Sequence, residues 1–275
     1  MKQGMTPYQI SKLMAVSISR VYQIWRKYNE TGAMPAVGLR SGRPKKELSF
    51  NQIGIILKTY NEQKVSASIL EALIEKKYKI HINHNKIHQI LLEKGLANRI
   101  GMKIRKKNWV RYERKHSLTA VHMDWFYDPH IGKWIIAVLD DASRMILSYG
   151  AFDHATAENT ILVLKEALKY GKIKQAITDH GAQFTANKFD KNGKAYSQFE
   201  EFCKENKIKH ILCRIKHPQS NGKMERWFGL YKQKIYLFGS LDEFVHWYNH
   251  IKPHMSLDFE KLETPVQAFR RKFKA

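Results

Sequence analysis

Ala120-Val121-His122-Met123-Asp124-Trp125-Phe126, Lys133-Trp134-Ile135-Ile136-Ala137-Val138-Leu139 and Met145-Ile146-Leu147-Ser148-Tyr149-Gly150-Ala151-Phe152 are three apolar and aromatic runs separated by short Gly or Asp/Ser turns. Runs of this length and composition predict three successive strands. A helix follows from about Ala157 to Tyr170, with Thr156 as its cap, Glu158 in its first turn and Gly171 after its end. Ala176-Ile177-Thr178 then reads as a strand, Phe199, Phe202 and Cys203 mark a helix, and His210-Ile211-Leu212-Cys213 a last strand. Three strands followed by alternating helices and strands predict an α/β core with a mixed five-stranded sheet.

Three carboxylates stand out against this frame. Asp124 lies inside the first strand, Asp179 ends the fourth just before Gly181, and Glu225 falls in the first turns of an amphipathic helix. An unpaired carboxylate in a buried strand costs several kcal/mol, on the order of a domain's whole margin of stability. A bound metal ion would remove that cost. On the Glu225 helix, Met224, Trp227, Phe228, Tyr231 and Ile235 form the apolar face, while Glu225, Gly229 and Lys232 recur at i, i+4 and i+7 on a neighbouring one. Asp140 and Asp141, after the second strand, are rival acids that read better as turn caps. His122 shares a strand face with Asp124 and reads as a packed histidine.

Thr178-Asp179-His180-Gly181-Ala182-Gln183-Phe184 and His217-Pro218-Gln219-Ser220-Asn221-Gly222-Lys223-Met224-Glu225-Arg226, with the strand-borne Asp124, resemble the DDE transposases of insertion sequences, whose catalytic core is of the retroviral-integrase type. The resemblance continues through Trp247-Tyr248-Asn249, Pro253-His254-Met255-Ser256-Leu257 and Thr264-Pro265-Val266-Gln267-Ala268-Phe269, so it covers roughly Ala120 to the C-terminus. It implies a ribonuclease-H-like fold and a catalytic, metal-binding triad of Asp124, Asp179 and Glu225. Two Mg²⁺ or Mn²⁺ ions would be held with Asp124 bridging both, in keeping with the preference of such ions for oxygen ligands. It also implies that Lys232 touches the phosphate next to the scissile bond; Lys223 is a further candidate DNA contact. Position 180 is His where the family more often has Asn, and 46 positions separate Asp179 from Glu225, more than the commonest integrase spacing. The extra length falls on Asn187 to Tyr196, a polar Asn/Gly/Lys segment that reads as a surface loop.

Composition points to the same class of partner. The 275 residues carry 48 Lys and Arg against 25 Asp and Glu, a formal charge of +23, and such a chain attracts nucleic acid through its phosphates. Two cysteines fit a reducing cytosol, and no apolar run is long enough to span a bilayer. The expected location is therefore the cytoplasm, at the prokaryotic nucleoid, with no membrane partner.

Residues 1–37 read as a helix-turn-helix: Thr6-Pro7-Tyr8-Gln9 opens one helix, and Ser17 caps a second whose Arg20, Gln23 and Arg26 are candidate DNA contacts. Residues 38–47 are a basic linker whose Gly42-Arg43-Pro44 core, with Arg40 nearby, resembles an AT-hook or serves as a flexible tether. Residues 48–97 read as a second helix-turn-helix-like module of three helices. Its His81, His84 and His88 have metal-like spacing without the cysteines that a structural zinc site usually adds, and so read as helix-surface residues. Residues 98–117 form a basic linker with Lys106 and Lys107 as candidate phosphate contacts, 118–238 the catalytic core, and 239–275 its helical extension. The function expected is a transposase that binds an element's terminal repeats and target DNA as a homo-oligomer and performs cleavage and strand transfer. The alternatives are a transposase-derived DNA-binding regulator and a ribonuclease-H-type nuclease.

Overall fold

The computed structural model describes residues 4–33, 47–98, 113–185, 188–189, 195–213 and 222–274. These fall into two compact units, Met1–Leu48 and Ser49–Ala275.

In the first unit, α1 (Pro7–Leu13) starts at Thr6, whose side chain accepts from Gln9 N while the Gln9 side chain accepts from Thr6 N. That reciprocal box satisfies two otherwise orphaned amides. α2 (Ile18–Thr31) is capped by Ser17 and stopped by Gly32 in the left-handed conformation. Val21 is buried between the two helices.

The second unit begins with three helices. α3 (Phe50–Gln63) has a Ser49–Gln52 capping box, α4 (Ala67–Tyr78) follows Ser66, and α5 (His84–Glu93) is capped by Asn83. Ile56, Ile69, Leu70, Ile74, Ile87 and Leu91 close their core.

Beyond these helices lies the mixed sheet that the apolar runs predict. β1 (Val121–Asp128), β2 (Lys133–Asp140) and β3 (Ile146–Phe152) form an antiparallel meander. α6 (Ala157–Leu168), capped by Thr156, returns the chain to β4 (Gln175–Thr178), which pairs parallel to β1. The polar segment expected as a loop is paired at its ends: β5 (Lys188–Phe189) and β6 (Ala195–Tyr196) make a short antiparallel hairpin. α7 (Gln198–Glu205) leads to β7 (Lys209–Leu212), parallel to β4, and the sheet order is β3-β2-β1-β4-β7. This is a ribonuclease-H-like core.

One face of the sheet carries Val121, Met123, Trp125, Ile136, Val138 and Ala176 against Val163, Leu164 and Ala167 of α6 and Phe199 and Cys203 of α7. The other face carries Ala120, Ile177, Ile211 and Cys213, and α8 (Gly222–Lys234) packs there. Met224, Trp227, Phe228 and Tyr231 of α8 are buried as the apolar spacing requires, whereas Ile235 lies in a following 3-10 turn and is only partly covered.

The tail motif Trp247-Tyr248-Asn249 has a structural reason. After α9 (Leu241–His246), a π-helical turn over Trp247–Ile251 lets the Asn249 side chain accept from Ile146 N and donate to Ile146 O, both at 2.9 Å, so that one side chain satisfies a backbone pair at the start of β3. Trp247 Nε1 donates to Gln63 O at 2.7 Å, and Lys64 Nζ to Leu237 O at 2.9 Å. Through these bonds the α3–α5 module and the tail are one packed body. α10 (Pro265–Lys272), opened by a Thr264–Gln267 box, sends Phe269 into the core.

Candidate active site

Strand register places two of the three acids. β1 and β4 pair His122 with Ile177, and carrying that register two residues on sets Asp179 level with Asp124. β4 and β7 pair Thr178 with Leu212, so Cys213 stands level with Asp179, and Cys213 N donates to Thr178 O at 2.8 Å. Asp124, Asp179 and Cys213 thus form a row across three parallel strands about 4.8 Å apart, on one face and at the carboxyl ends of β4 and β7. That end of an open α/β sheet is where ligands generally bind.

α8 delivers the third acid. Its apolar face lies along β1, with Phe126 packed on Phe228 and Tyr231 at ring-centroid separations of 5.4 and 6.1 Å. Tyr231 donates to the buried Asp128 Oδ2 at 2.6 Å, fixing the helix to the end of the strand. Nearer the helix start, Lys223 reaches Asp141, which also accepts from His122 on β1. Glu225 sits between these two anchors and is exposed.

The Cys213 thiol is pushed up to about 11, first by burial and then by the negative charges of Asp179, Asp124 and Glu225 in that order. Asp124 Oδ1 accepts from Trp125 N at 2.8 Å and Asp179 Oδ1 from Gly181 N at 3.0 Å. His180, on the turn after Asp179, donates from Nε2 to Cys213 O at 2.7 Å and so ties that turn to β7.

The rival acids do structural work. Asp140 is fully buried and accepts from Leu118 N, Ser143 N and Ser143 Oγ, as a turn cap should. Asp141 does more than cap a turn: Oδ1 accepts from His122 Nε2 at 2.7 Å and from Lys223 Nζ, and Oδ2 accepts from Arg114 N at 2.6 Å. Burial opposes its charge, yet His122 and Lys223 hold its carboxyl well below the usual carboxylate range. His122 is packed, as its strand position suggested, and burial lowers its basicity despite the Asp141 bond. Nothing in the sequence beyond the Asp140-Asp141 pair itself signalled this network, and nothing marked Cys213 as the thiol beside the acids.

Among the described residues, no three His, Cys, Asp or Glu side chains are gathered tightly enough to hold a metal ion. In chemical kind the donors nonetheless fit a hard divalent cation: Asp124 and Asp179 of the sheet and Glu225 of α8 are carboxylates, and oxygen donors are what Mg²⁺ and Mn²⁺ take.

Arg20, Gln23 and Arg26 are exposed on α2, with Arg20 donating to Gln23 Oε1 at 3.3 Å. Lys232 is exposed on α8, its ammonium 4.3 Å from the centre of the Phe126 ring. Lys223 differs from the sequence expectation: its side chain is only 15% exposed and is committed to Asp141. Arg40, Arg43, Lys106, Lys107 and the His217 to Asn221 half of the third motif lie outside the described residues. Of the three spaced histidines, His84 Nδ1 lies 2.8 Å from Glu71 Oε2, and His81 lies 3.6 Å from both Glu71 and Glu75.

Residues 114–218 match the family described as integrase core domain. An uncharacterized protein of Archaeoglobus fulgidus is 31% identical over 105 residues, which are 38% of this chain and 82% of that protein. A putative integrase ORF3 of Spiroplasma virus SpV1-C74 is 27% identical over 147 residues, 46% of this chain and only 40% of the viral protein. Among solved structures, the catalytic core domain of BIV integrase superposes with a TM-score of 0.44 at 17% identity, over 56% of this chain and 94% of that one. A chain of the simian T-cell lymphotropic virus intasome in complex with PP2A regulatory subunit B56 gamma gives 0.48 at 14% identity, over 78% and 74%.

Proposed function

The chain belongs to the integrase core-domain family, and from that premise we propose that it is a DDE transposase whose site is Asp124, Asp179 and Glu225. What supports this reading is that Asp124 and Asp179 stand level with each other on neighbouring parallel strands and that α8, which carries Glu225, packs along β1.

When bound, two Mg²⁺ or Mn²⁺ ions on these carboxylates would supply nucleophile activation and stabilisation of the leaving oxygen in an in-line displacement on phosphorus. The residues of the chain do the rest. The rigid β1–β4 pair fixes Asp124 and Asp179, the Phe126–Phe228–Tyr231 contact fixes the helix of Glu225, and exposed Lys232 stands one face away as a positive partner for a phosphate. No covalent protein intermediate is required.

Arg20, Gln23 and Arg26 of α2 would read or hold DNA, since Arg and Gln pair bidentately with guanine and adenine. Arg40 and Arg43 in the 38–47 linker and Lys106 and Lys107 in the 98–117 linker would add phosphate or minor-groove contacts around the 48–97 module, the 118–238 core and its 239–275 extension. The partners proposed are the element's terminal repeats and target DNA, engaged by a homo-oligomer at the prokaryotic nucleoid. Among the described residues no helix is long and apolar enough to cross a membrane.

The test is strand joining. Purified protein with Mn²⁺, a labelled duplex bearing a 3′-hydroxyl element end and a supercoiled target plasmid should yield labelled plasmid. Nicked DNA without labelled plasmid would instead establish the nuclease, and a gel shift with neither product would establish the regulator.

A further inference from the structure

We propose that Lys223 is a positioning residue for the carboxylate site rather than a DNA contact: tied to the buried Asp141–His122 pair, it sets α8, and therefore Glu225, against β1. The inference rests on the transposase reading and goes beyond it, because it assigns a role to a buried network outside the triad.

The geometry is a clasp between the two elements. Lys223 precedes Glu225 by two residues on the first turn of α8, and His122 precedes Asp124 by two residues on the same face of β1. Asp141, with no exposed surface, joins the two through one oxygen, while its other oxygen is held by Arg114 N at 2.6 Å. The His122 side chain is 1% exposed. A hub with so little freedom fixes the spacing between the two acid-bearing elements. Beyond Glu225, the Tyr231–Asp128 bond is the second anchor, so the acid is held from both sides along the helix.

The same facts argue against a phosphate partner. The Lys223 side chain is only 15% exposed and its charge is matched by Asp141. Turning Lys223 outward to DNA would leave the buried Asp141 without its cationic partner, and stranding one member of a buried pair is strongly unfavourable. Lys232, exposed on the same helix, has no such commitment to a carboxylate in the described structure.

The test uses the full chain as wild type, Lys223→Met, Asp141→Asn and the double variant. Each is measured for affinity to an element-end duplex in Ca²⁺ at several salt concentrations, for Mn²⁺ binding by electron paramagnetic resonance, and for single-turnover cleavage at saturating DNA. A clasp predicts that each single variant keeps the wild-type DNA affinity and salt slope. Mn²⁺ affinity and the cleavage rate should fall about 10- to 100-fold, the range seen when residues that orient metal ligands are lost. The double variant should be no worse than the poorer single, because both act through one network. A DNA contact predicts otherwise: Lys223→Met alone flattens the salt slope by about 0.9, and that result overturns the proposal, as does a double variant whose losses multiply. If Lys223→Met does not fold by melting, the double variant, which removes both charges, takes its place, and wild-type Mn²⁺ binding by it overturns the proposal. If the wild type neither cuts nor binds Mn²⁺, the transposase reading fails and the positioning role falls with it, a result separate from any change in the salt slope.

Discussion

At the residue scale, burial and partner decide what each charge is for. Of five acids that the sequence offers near the core, Asp140 and Asp141 are fully buried and saturated with hydrogen bonds, while Asp124, within β1, and Asp179, just after β4, are half-buried and Glu225 is exposed. Asp140 and Asp141 hold loops, and the other three keep accessible surface. Residue types and motif spacing singled out Asp124, Asp179 and Glu225 in the sequence. They could not separate Lys223 from Lys232, because both lie on the same helix near the acid and only packing shows that one is buried against Asp141. A second buried acid gives a prediction away from the site. Glu263 accepts from Arg271 Nε at 2.6 Å and from its second guanidinium nitrogen at 2.8 Å. That pairing holds its carboxyl below the ordinary value of 4.5, with burial opposing. A carboxylate lowered in the folded state contributes stability that is complete above its unfolded pKa and lost as pH falls through the folded one. Glu263→Gln should therefore cost about 1 kcal/mol at pH 7, since Arg271 is half-exposed, and the gap to wild type should close as pH drops below 4.5. Urea melts at pH 7 and pH 3 check this; a gap that persists at low pH refutes the ion-pair account.

Elements were more legible than their surroundings. The capping signals at Thr6, Ser17 and Thr156 all mark real helix starts, because a side-chain oxygen must satisfy an amide that the helix leaves unpaired. The three strands before α6 were readable from their apolar runs. The 187–196 segment was not, because its pairing comes from two residues at each end and its Asn/Gly/Lys composition signals only a turn. The π-helical turn at Trp247–Ile251 was equally silent, since what it achieves, a side-chain amide on Ile146, depends on a strand about a hundred residues away in sequence. For the site, α8 is the decisive element, and Tyr231 is its far anchor. Tyr231→Phe keeps the ring stacking with Trp227 and removes only the bond to the buried Asp128, which retains His130 N on its other oxygen. The expected loss is about 1–3 kcal/mol, seen as a lower urea midpoint at unchanged slope. An unaltered midpoint would show that the anchor does not hold the helix.

On the scale of the whole molecule, a charge of +23 is spread over two compact units, only one of which contains the acids. Phosphate neutralisation then dominates affinity: with six to ten contacts, binding to the element end should weaken by roughly 10³- to 10⁵-fold between 50 and 200 mM salt, as fluorescence anisotropy would read. A shallow salt dependence would mean that the basic surface is not the binding surface. The division into units was only partly readable. The boundary at Leu48 follows a Gly- and Pro-bearing basic stretch of sequence, but the bonds from Gln63 and Lys64 to the tail, which join the α3–α5 module to the unit that holds the sheet, link residues more than 170 positions apart. The measurement that bears most directly on the central claim is metal-dependent cleavage of a labelled element-end duplex by wild type, Asp124→Asn, Asp179→Asn and Glu225→Gln. Each variant should retain DNA affinity and lose cleavage by about 10³-fold or more, since a two-metal site does not work with one carboxylate missing. Cleavage by any one of the three at the wild-type rate would contradict the assignment of a shared site.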